Sequence, residues 1–197
     1  KEKIFDCVQD VEGQLIIKEY PTKSASTSTI KSHIEKLKKR GINPDLIMVD
    51  YADLLKPIKN TREKRHDLES IYEELRAIAQ IYDCPVWTAS QTNRSGLNAE
   101  VITMESISEA FNKCFVADFI FSLSRTIQDK QANKGRLFIA KNRNGSDGLV
   151  FPCFIDWSDV TMKVLENTEE SIADAVPEST ASALEYLKTK YEQIKSK

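Results

Sequence analysis

Apolar and polar positions along the chain alternate between helical and strand-like periods. Ile30, Ile34 and Leu37 recur at helical spacing, with Ser26 or Thr27 placed as a cap and Lys36, Lys38, Lys39 and Arg40 gathered before Gly41. Cations there face the negative end of the helix dipole. The uninterrupted run Leu46-Ile47-Met48-Val49 then closes on Asp50, and Val86-Trp87-Thr88-Ala89-Ser90-Gln91 makes the same passage from apolar to polar. Continuous apolar runs of this kind mark strands buried on both faces of a parallel sheet. Between them Leu68, Ile71, Leu75, Ile78 and Tyr82 share one face of a second helix, which Pro85 ends. A helix of about 18 residues between two buried strands predicts a βαβ unit with the strands parallel.

Outside that unit the pattern is choppier. Residues 4–8 and 14–19 read as two short strands joined near Glu12-Gly13, and a polar loop follows from Thr22 to Ser28. Later strands are expected at 118–123, 136–141, 149–155 and 160–165, separated by Gly-containing turns that favour antiparallel pairing. The sheet is therefore expected to be mixed. After Leu165 the composition shifts to Glu166-Asn167-Thr168-Glu169-Glu170-Ser171, then small residues and Pro177, which reads as a linker. Ala183, Leu184, Leu187, Tyr191 and Ile194 form a terminal amphipathic helix that packs on the domain or serves a partner. This divides the chain into one domain over 1–165 and a linker with a tail helix over 166–197.

Composition narrows the class only a little. A chain of 197 residues, 41% hydrophobic and 29% charged, suits one globular domain with a tail. No apolar stretch approaches the roughly 20 residues of a membrane span, and the start lacks a signal-peptide core, so the protein is expected in the cytoplasm without a membrane partner. Cys7, Cys84, Cys114 and Cys153 stand singly in apolar contexts, and His33 and His66 are the only imidazoles, which argues against a zinc site or a disulfide framework. A net charge of −2 leaves room for nucleic acid binding by a local groove or a ring's channel.

Candidate chemistry sits at strand ends. Asp50 closes one predicted parallel strand and Gln91 the next, so both belong to the rim where open α/β sheets bind ligands. An acid there suits Mg²⁺ held through water, and a neutral amide suits a γ-phosphate oxygen or the attacking water. Ser90-Gln91-Thr92-Asn93 taken alone is equally an ordinary polar loop after a strand. A basic group, Lys141-Asn142-Arg143-Asn144-Gly145, follows a later strand, where surface ion pairs are the plain alternative.

The ordered series of Asp50, Gln91, Ala117-Asp118 opening a strand, and K-x-R-x-G closely resembles the second half of the RecA-like domain of DnaB-type replicative helicases, most of all those of phages related to the T-even group. The resemblance covers about residues 4–165. It implies a RecA-like three-layer α/β domain with a mixed, mainly parallel sheet, and an ATP-driven hexamer that moves on single-stranded DNA. Leu46 to Leu55 then matches the Walker B strand, with Asp50 on the Mg²⁺ side and Tyr51 beside the nucleotide. Ser90 to Arg94 matches the motif whose Gln91 couples γ-phosphate state to DNA-binding loops, while Lys141 and Arg143 match the basic pair projected into a neighbouring subunit's ATP site, Arg143 as arginine finger. Met104 to Lys113 falls where the family places a channel loop, making Ser108, Glu109, Asn112 and Lys113 the candidate DNA contacts. Glu109 is repulsive to phosphate, however, and a helix capped by Ser106 explains the same letters. The segment Gln128 to Lys134, with Lys130 and Lys134, is a second channel loop or an exposed turn. A primase or a helicase loader is the further partner the family implies.

One departure from the family pattern stands out. The six glycines, at 13, 41, 96, 135, 145 and 148, supply no G-x-x-x-x-G-K-[ST] loop, so the residues that cradle the α and β phosphates are missing from this chain. The chain alone is expected not to hydrolyse ATP, nor to bind ATP and Mg²⁺ tightly. Because the P-loop and the water-activating glutamate precede the matching region in the family, amino-terminal truncation is the simplest expectation, with first strand and P-loop lost. A degenerate subunit, acting as an inactive interaction module, is the alternative, and a RecA- or KaiC-like ATPase shares the Asp50 and Gln91 positions. Loss of a central strand is also expected to expose apolar surface beside 46–50 and 86–90, and so to promote self-association.

Overall fold

The computed structural model describes residues 13–59, 61, 63–92, 99, 101–104 and 112–166. Helix α1 (Thr27–Lys38) opens on Ser26, whose hydroxyl accepts from the Thr29 backbone while Thr29 returns a bond to the cap, a reciprocal capping box. It ends with Lys36 and Lys38 in the last turn and Gly41 at φ +79°, a conformation glycine adopts without strain. Strand β1 (Ile47–Val49) leads through an Asp50–Tyr51 cis peptide into a 3₁₀ turn (Ala52–Leu54). Helix α2 (Lys64–Tyr82) returns antiparallel to strand β2 (Val86–Thr88), which pairs with β1 in parallel, Ile47 opposite Val86 and Val49 opposite Thr88. The predicted βαβ unit is present, and Asp83 in the left-handed region stops α2 just ahead of Pro85.

Beyond it lie the short helix α3 (Asn112–Val116), β3 (Phe119–Ser124), the single-turn helix α4 (Ile127–Gln131), β4 (Lys134–Asn142), β5 (Val150–Asp156) and β6 (Thr161–Val164). The last four strands form an antiparallel sheet in the order β3-β4-β5-β6, with a register shift between Ile120 and Phe121. Parallel and antiparallel pairing therefore coexist, in two hydrogen-bonded ladders of two and four strands. The parallel part is the smaller one among the described residues. The two ladders meet where Trp87 of β2 lies 6.0 Å from Phe121 of β3, ring centre to ring centre.

Three expectations are corrected or fall outside view. Residues 14–19 form no strand; they run exposed and pair with nothing in a ladder among the described residues, and without ladder partners an alternating segment gains nothing from its period. Residues 4–8 and the tail helix lie outside the described residues. Strands β1 and β2 are covered on one face only: Ile47, Val49 and Val86 pack toward α2, whereas Met48 and Trp87, neighbours in register, are exposed. The expected apolar surface beside these strands is thus present, and it continues over Phe119 and Phe121.

The core that organises this half joins Ile34 of α1, Ala52 of the turn, and Ile71, Leu75 and Ile78 of α2. Ile78 is wholly buried, so Ile78→Ala should lower unfolding stability by about 2–5 kcal/mol, read from urea denaturation. A second buried feature sits under α4. Arg136 donates to Asp129 at 2.6 Å, and Asp129 also accepts at 2.7 Å from the backbone and from the hydroxyl of Thr126. Burial works against the Asp129 charge, but the Thr126 bonds and the Arg136 guanidinium outweigh it and hold the carboxyl below its ordinary value. The segment Gln128 to Lys134 is accordingly a capped helical turn running into β4. Because the folded pKa is depressed, this contribution to stability is full above the ordinary aspartate value of about 3.9 and is lost as pH falls through the folded value. Asp129→Asn should therefore be less stable than the wild type at neutral pH and approach it on acidification, as followed by urea midpoints across the acid range.

Candidate functional site

The parallel register places the carboxyl ends of β1 and β2 at one rim. Asp50 lies one residue beyond Val49 and Gln91 three beyond Thr88; both are exposed, and neither side chain has a polar partner among the described residues. Tyr51, half-buried, begins the turn that follows. A hydroxyl missed by the sequence reading locks this rim: Thr88 Oγ1 donates to Val49 O and accepts from the Ala52 N–H, both at 2.9 Å. Ala52 is itself fully buried, so the turn after Asp50 is pinned from below by packing and from the side by β2.

A few residues further on, the acid Asp53 is engaged on both oxygens. Tyr72 of α2 donates to it at 2.9 Å, Ser90 at 3.3 Å, and the Lys113 ammonium of α3 lies 3.3 Å from each oxygen. Lys113 also stands 5.5 Å above the Tyr72 ring. Burial, and then the Asp53 charge, push the Tyr72 hydroxyl far above its usual pKa, so it remains a donor. The Lys113 side chain is 2% exposed. It was expected to face the phosphates of DNA; the structure instead buries it against Asp53, where the ion pair and the aromatic ring compensate the lost hydration. Ser108 and Glu109 lie outside the described residues, and Asn112 is described only as the first residue of α3.

Lys141 and Arg143 meet a different partner set, at the far end of α3. Lys141 donates to the carbonyls of Cys114 at 2.9 Å and Phe115 at 3.1 Å. Arg143 donates to Phe115 O at 3.3 Å and pairs with Asp118 at 2.6 Å. The same Asp118 oxygen takes Arg76 of α2 at 2.9 Å, and Arg76 also donates to Val116 O. Three cations thus gather on the last carbonyls of α3 and on one carboxylate. Burial, followed by the charge of Arg143, lowers the Lys141 pKa. Neither Lys141 nor Arg143 contacts Asp50 or Gln91, so this chain holds two separate groups: an acid with an amide, and a basic pair. Sequence reasoning had placed Asp118 but not Arg76, whose position near the apolar stripe of α2 was the available signal.

Elsewhere the chemistry is quiet. Cys84, Cys114 and Cys153 are buried and reduced, their thiols raised in pKa chiefly by burial, and no cluster of metal-ligating side chains occurs among the described residues. Among those residues no helix is long and apolar enough to cross a membrane.

The fold matches a solved helicase ATPase domain with a TM-score of 0.64 at 23% identity, over 72% of this chain and 52% of that one. It matches equally, at TM-score 0.64 and 23% identity, a DnaB-like replicative helicase whose structure concerns its interactions with primase, over 72% of this chain and 36% of the other. A mixed α/β domain of the RecA-like ATPase class is the fold these likenesses define. The chain belongs to the DnaB-like helicase C terminal domain family, whose model matches residues 2–159. It is 30% identical over 137 residues to the DnaB-like replicative helicase of Enterobacteria phage T4, an alignment covering 68% of this chain and 29% of that protein. The chain therefore corresponds to less than a third of that relative's length.

The buried pair allows a direct check. Lys113→Met leaves the Asp53 carboxylate without its countercharge and should cost about 3 kcal/mol of unfolding stability, whereas Lys113→Met combined with Asp53→Leu should recover most of the loss. Thermal and urea unfolding of the three proteins measures both.

Proposed function

We infer that this chain is the carboxyl-terminal part of the motor of a hexameric replicative DNA helicase, which hydrolyses ATP between subunits and moves on single-stranded DNA. The observation that carries this reading is the open rim of the β1–β2 pair, where Asp50 and Gln91 end adjacent parallel strands in a chain of the DnaB-like helicase family. The donor set fits a nucleotide with Mg²⁺: Asp50 offers an unengaged, solvent-facing carboxylate suited to a hard cation held through water, whereas Asp53 is consumed by Tyr72, Ser90 and Lys113. Bound Mg²⁺ would neutralise charge on the transferring phosphoryl group. Asp50 would then fix the metal's water, Tyr51 would flank the nucleotide, and the Gln91 amide would orient the attacking water or bond the γ-phosphate and register its departure.

The basic pair supports a shared site. Arg143 is half exposed, and the Asp118 oxygen it uses is also held by Arg76. If Arg143 swings toward a neighbouring subunit's phosphates, Asp118 keeps a countercharge, and an exposed ion pair of this kind costs only about 0–1 kcal/mol to open. Lys141 would accompany it as a second cation, and the planar guanidinium would bridge two phosphate oxygens. The DNA contacts fall to the segment containing Ser108 and Glu109 and to Asn112, with Lys113 acting from inside the fold. Primase, which the solved DnaB-like relative engages, or a loader is the further partner proposed for the hexamer.

The test is DNA-stimulated ATP hydrolysis by the full-length protein with Arg143→Ala subunits mixed into wild-type rings. Hydrolysis should fall more steeply than the fraction of mutant subunits, while nucleotide binding is retained; Gln91→Ala should keep nucleotide binding but lose stimulation by DNA. A loss merely proportional to the mutant fraction would refute a site shared between subunits. Absence of any nucleotide-dependent activity would favour an inactive interaction module.

A further inference from the structure

Asp53 gathers donors from three separate elements onto one side chain. Tyr72 comes from the middle of α2, Ser90 from the segment leaving β2, and Lys113 from the first turn of α3. Two of the three attachments adjoin groups given roles above: Ser90 immediately precedes Gln91, and Lys113 follows directly on the stretch assigned to DNA contact. Asp53 itself stands three residues after Asp50, at the end of a turn whose backbone Thr88 ties to β2.

We propose that Lys113, Asp53 and Ser90 form an internal relay that transmits the position of α3 to Gln91. The argument is mechanical and electrostatic. A lysine that is almost wholly buried cannot leave its carboxylate without stranding two charges, so α3 and the Asp53 turn shift together when either is pulled. The Asp53 carboxylate in turn holds the Ser90 hydroxyl, and a change there re-aims the next residue, whose amide has no other polar partner among the described residues. Tyr72 bonds the same carboxylate from α2 and also approaches Ala89 O at 3.5 Å, which makes it the fixed support against which the relay works. Ser90 is thus a positioning residue for Gln91. The proposal rests on the assignment of Gln91 as the residue that senses the γ-phosphate.

The experiment measures ATP hydrolysis by the full-length protein with and without oligo-deoxythymidine, together with oligonucleotide affinity by fluorescence anisotropy, for Ser90→Ala, Ser90→Thr, Tyr72→Phe and Gln91→Ala. Ser90→Ala should keep the unstimulated rate and bind the oligonucleotide as the wild type does. Its DNA stimulation should fall at least about fivefold, the lower end of coupling between distinct sites. Ser90→Thr, which retains the hydroxyl, should restore stimulation. Tyr72→Phe, which takes a hydrogen bond from the same carboxylate outside the relay, should lose stability but keep stimulation. If Ser90→Ala retains full stimulation while Gln91→Ala loses it, the relay is overturned and the role of Gln91 stands. If Gln91→Ala also retains stimulation, both the relay and the reading beneath it are overturned.

Discussion

The apolar stripe of α2 supports everything the rim can do. Strands β1 and β2 are three residues each, too short to hold a parallel pair by their own hydrogen bonds. Leu68, Ile71, Leu75 and Ile78 cover one face of that pair and bury Ala52 completely, which fixes where the turn after Asp50 leaves the sheet. Tyr72 and Arg76 flank the stripe one turn apart and reach Asp53 and Asp118 respectively, so one helix sets both the acid-and-amide rim and the anchorage of the basic pair. Loosening α2 would disturb Asp50, Gln91 and Arg143 together, although none of them belongs to it.

Three acids near α2 differ in how they are engaged, and that difference sorts their uses. Asp53 is enclosed by a buried lysine, a tyrosine and a serine; Asp118 carries two arginines; Asp50 alone faces solvent without a partner among the described residues. A carboxylate already surrounded by donors has little left to offer a cation, whereas one standing free at a strand end can bind one without breaking anything. The double hold on Asp118 has a different consequence, since it lets Arg143 move while the acid stays neutralised. Electrostatics here divides groups that keep the fold from groups that are available.

Much of this was legible in the chain itself. The spacing of Leu68, Ile71, Leu75 and Ile78 located α2 and its buried face, Ser26 marked the start of α1, and the passages from apolar to polar at Asp50 and Gln91 located the ends of two parallel strands. The reading failed where a period had no partner to act on, as in residues 14–19, and where a charge was judged by its neighbours in sequence. Lys113 follows a polar stretch and looked solvent-facing; its actual partner is sixty residues away on another element. Thr88 was read as one letter of a strand, yet its hydroxyl ties the two strand ends together.

Helical and strand periods, caps and the order of motifs are local properties, because each depends on residues a few positions apart, and they sufficed for the element order, the βαβ unit and the family likeness. Which charges pair, which hydroxyls bridge and which face of a strand stays open depend on segments distant in sequence being brought within about 3 Å, and burial alone decides that. Asp50 and Lys113 illustrate the division. The sequence placed an acid at the end of a strand, and the fold left it free; the sequence placed a lysine beside a loop, and the fold drew it inside, since Asp53 and the Tyr72 ring offered its charge a compensated site there.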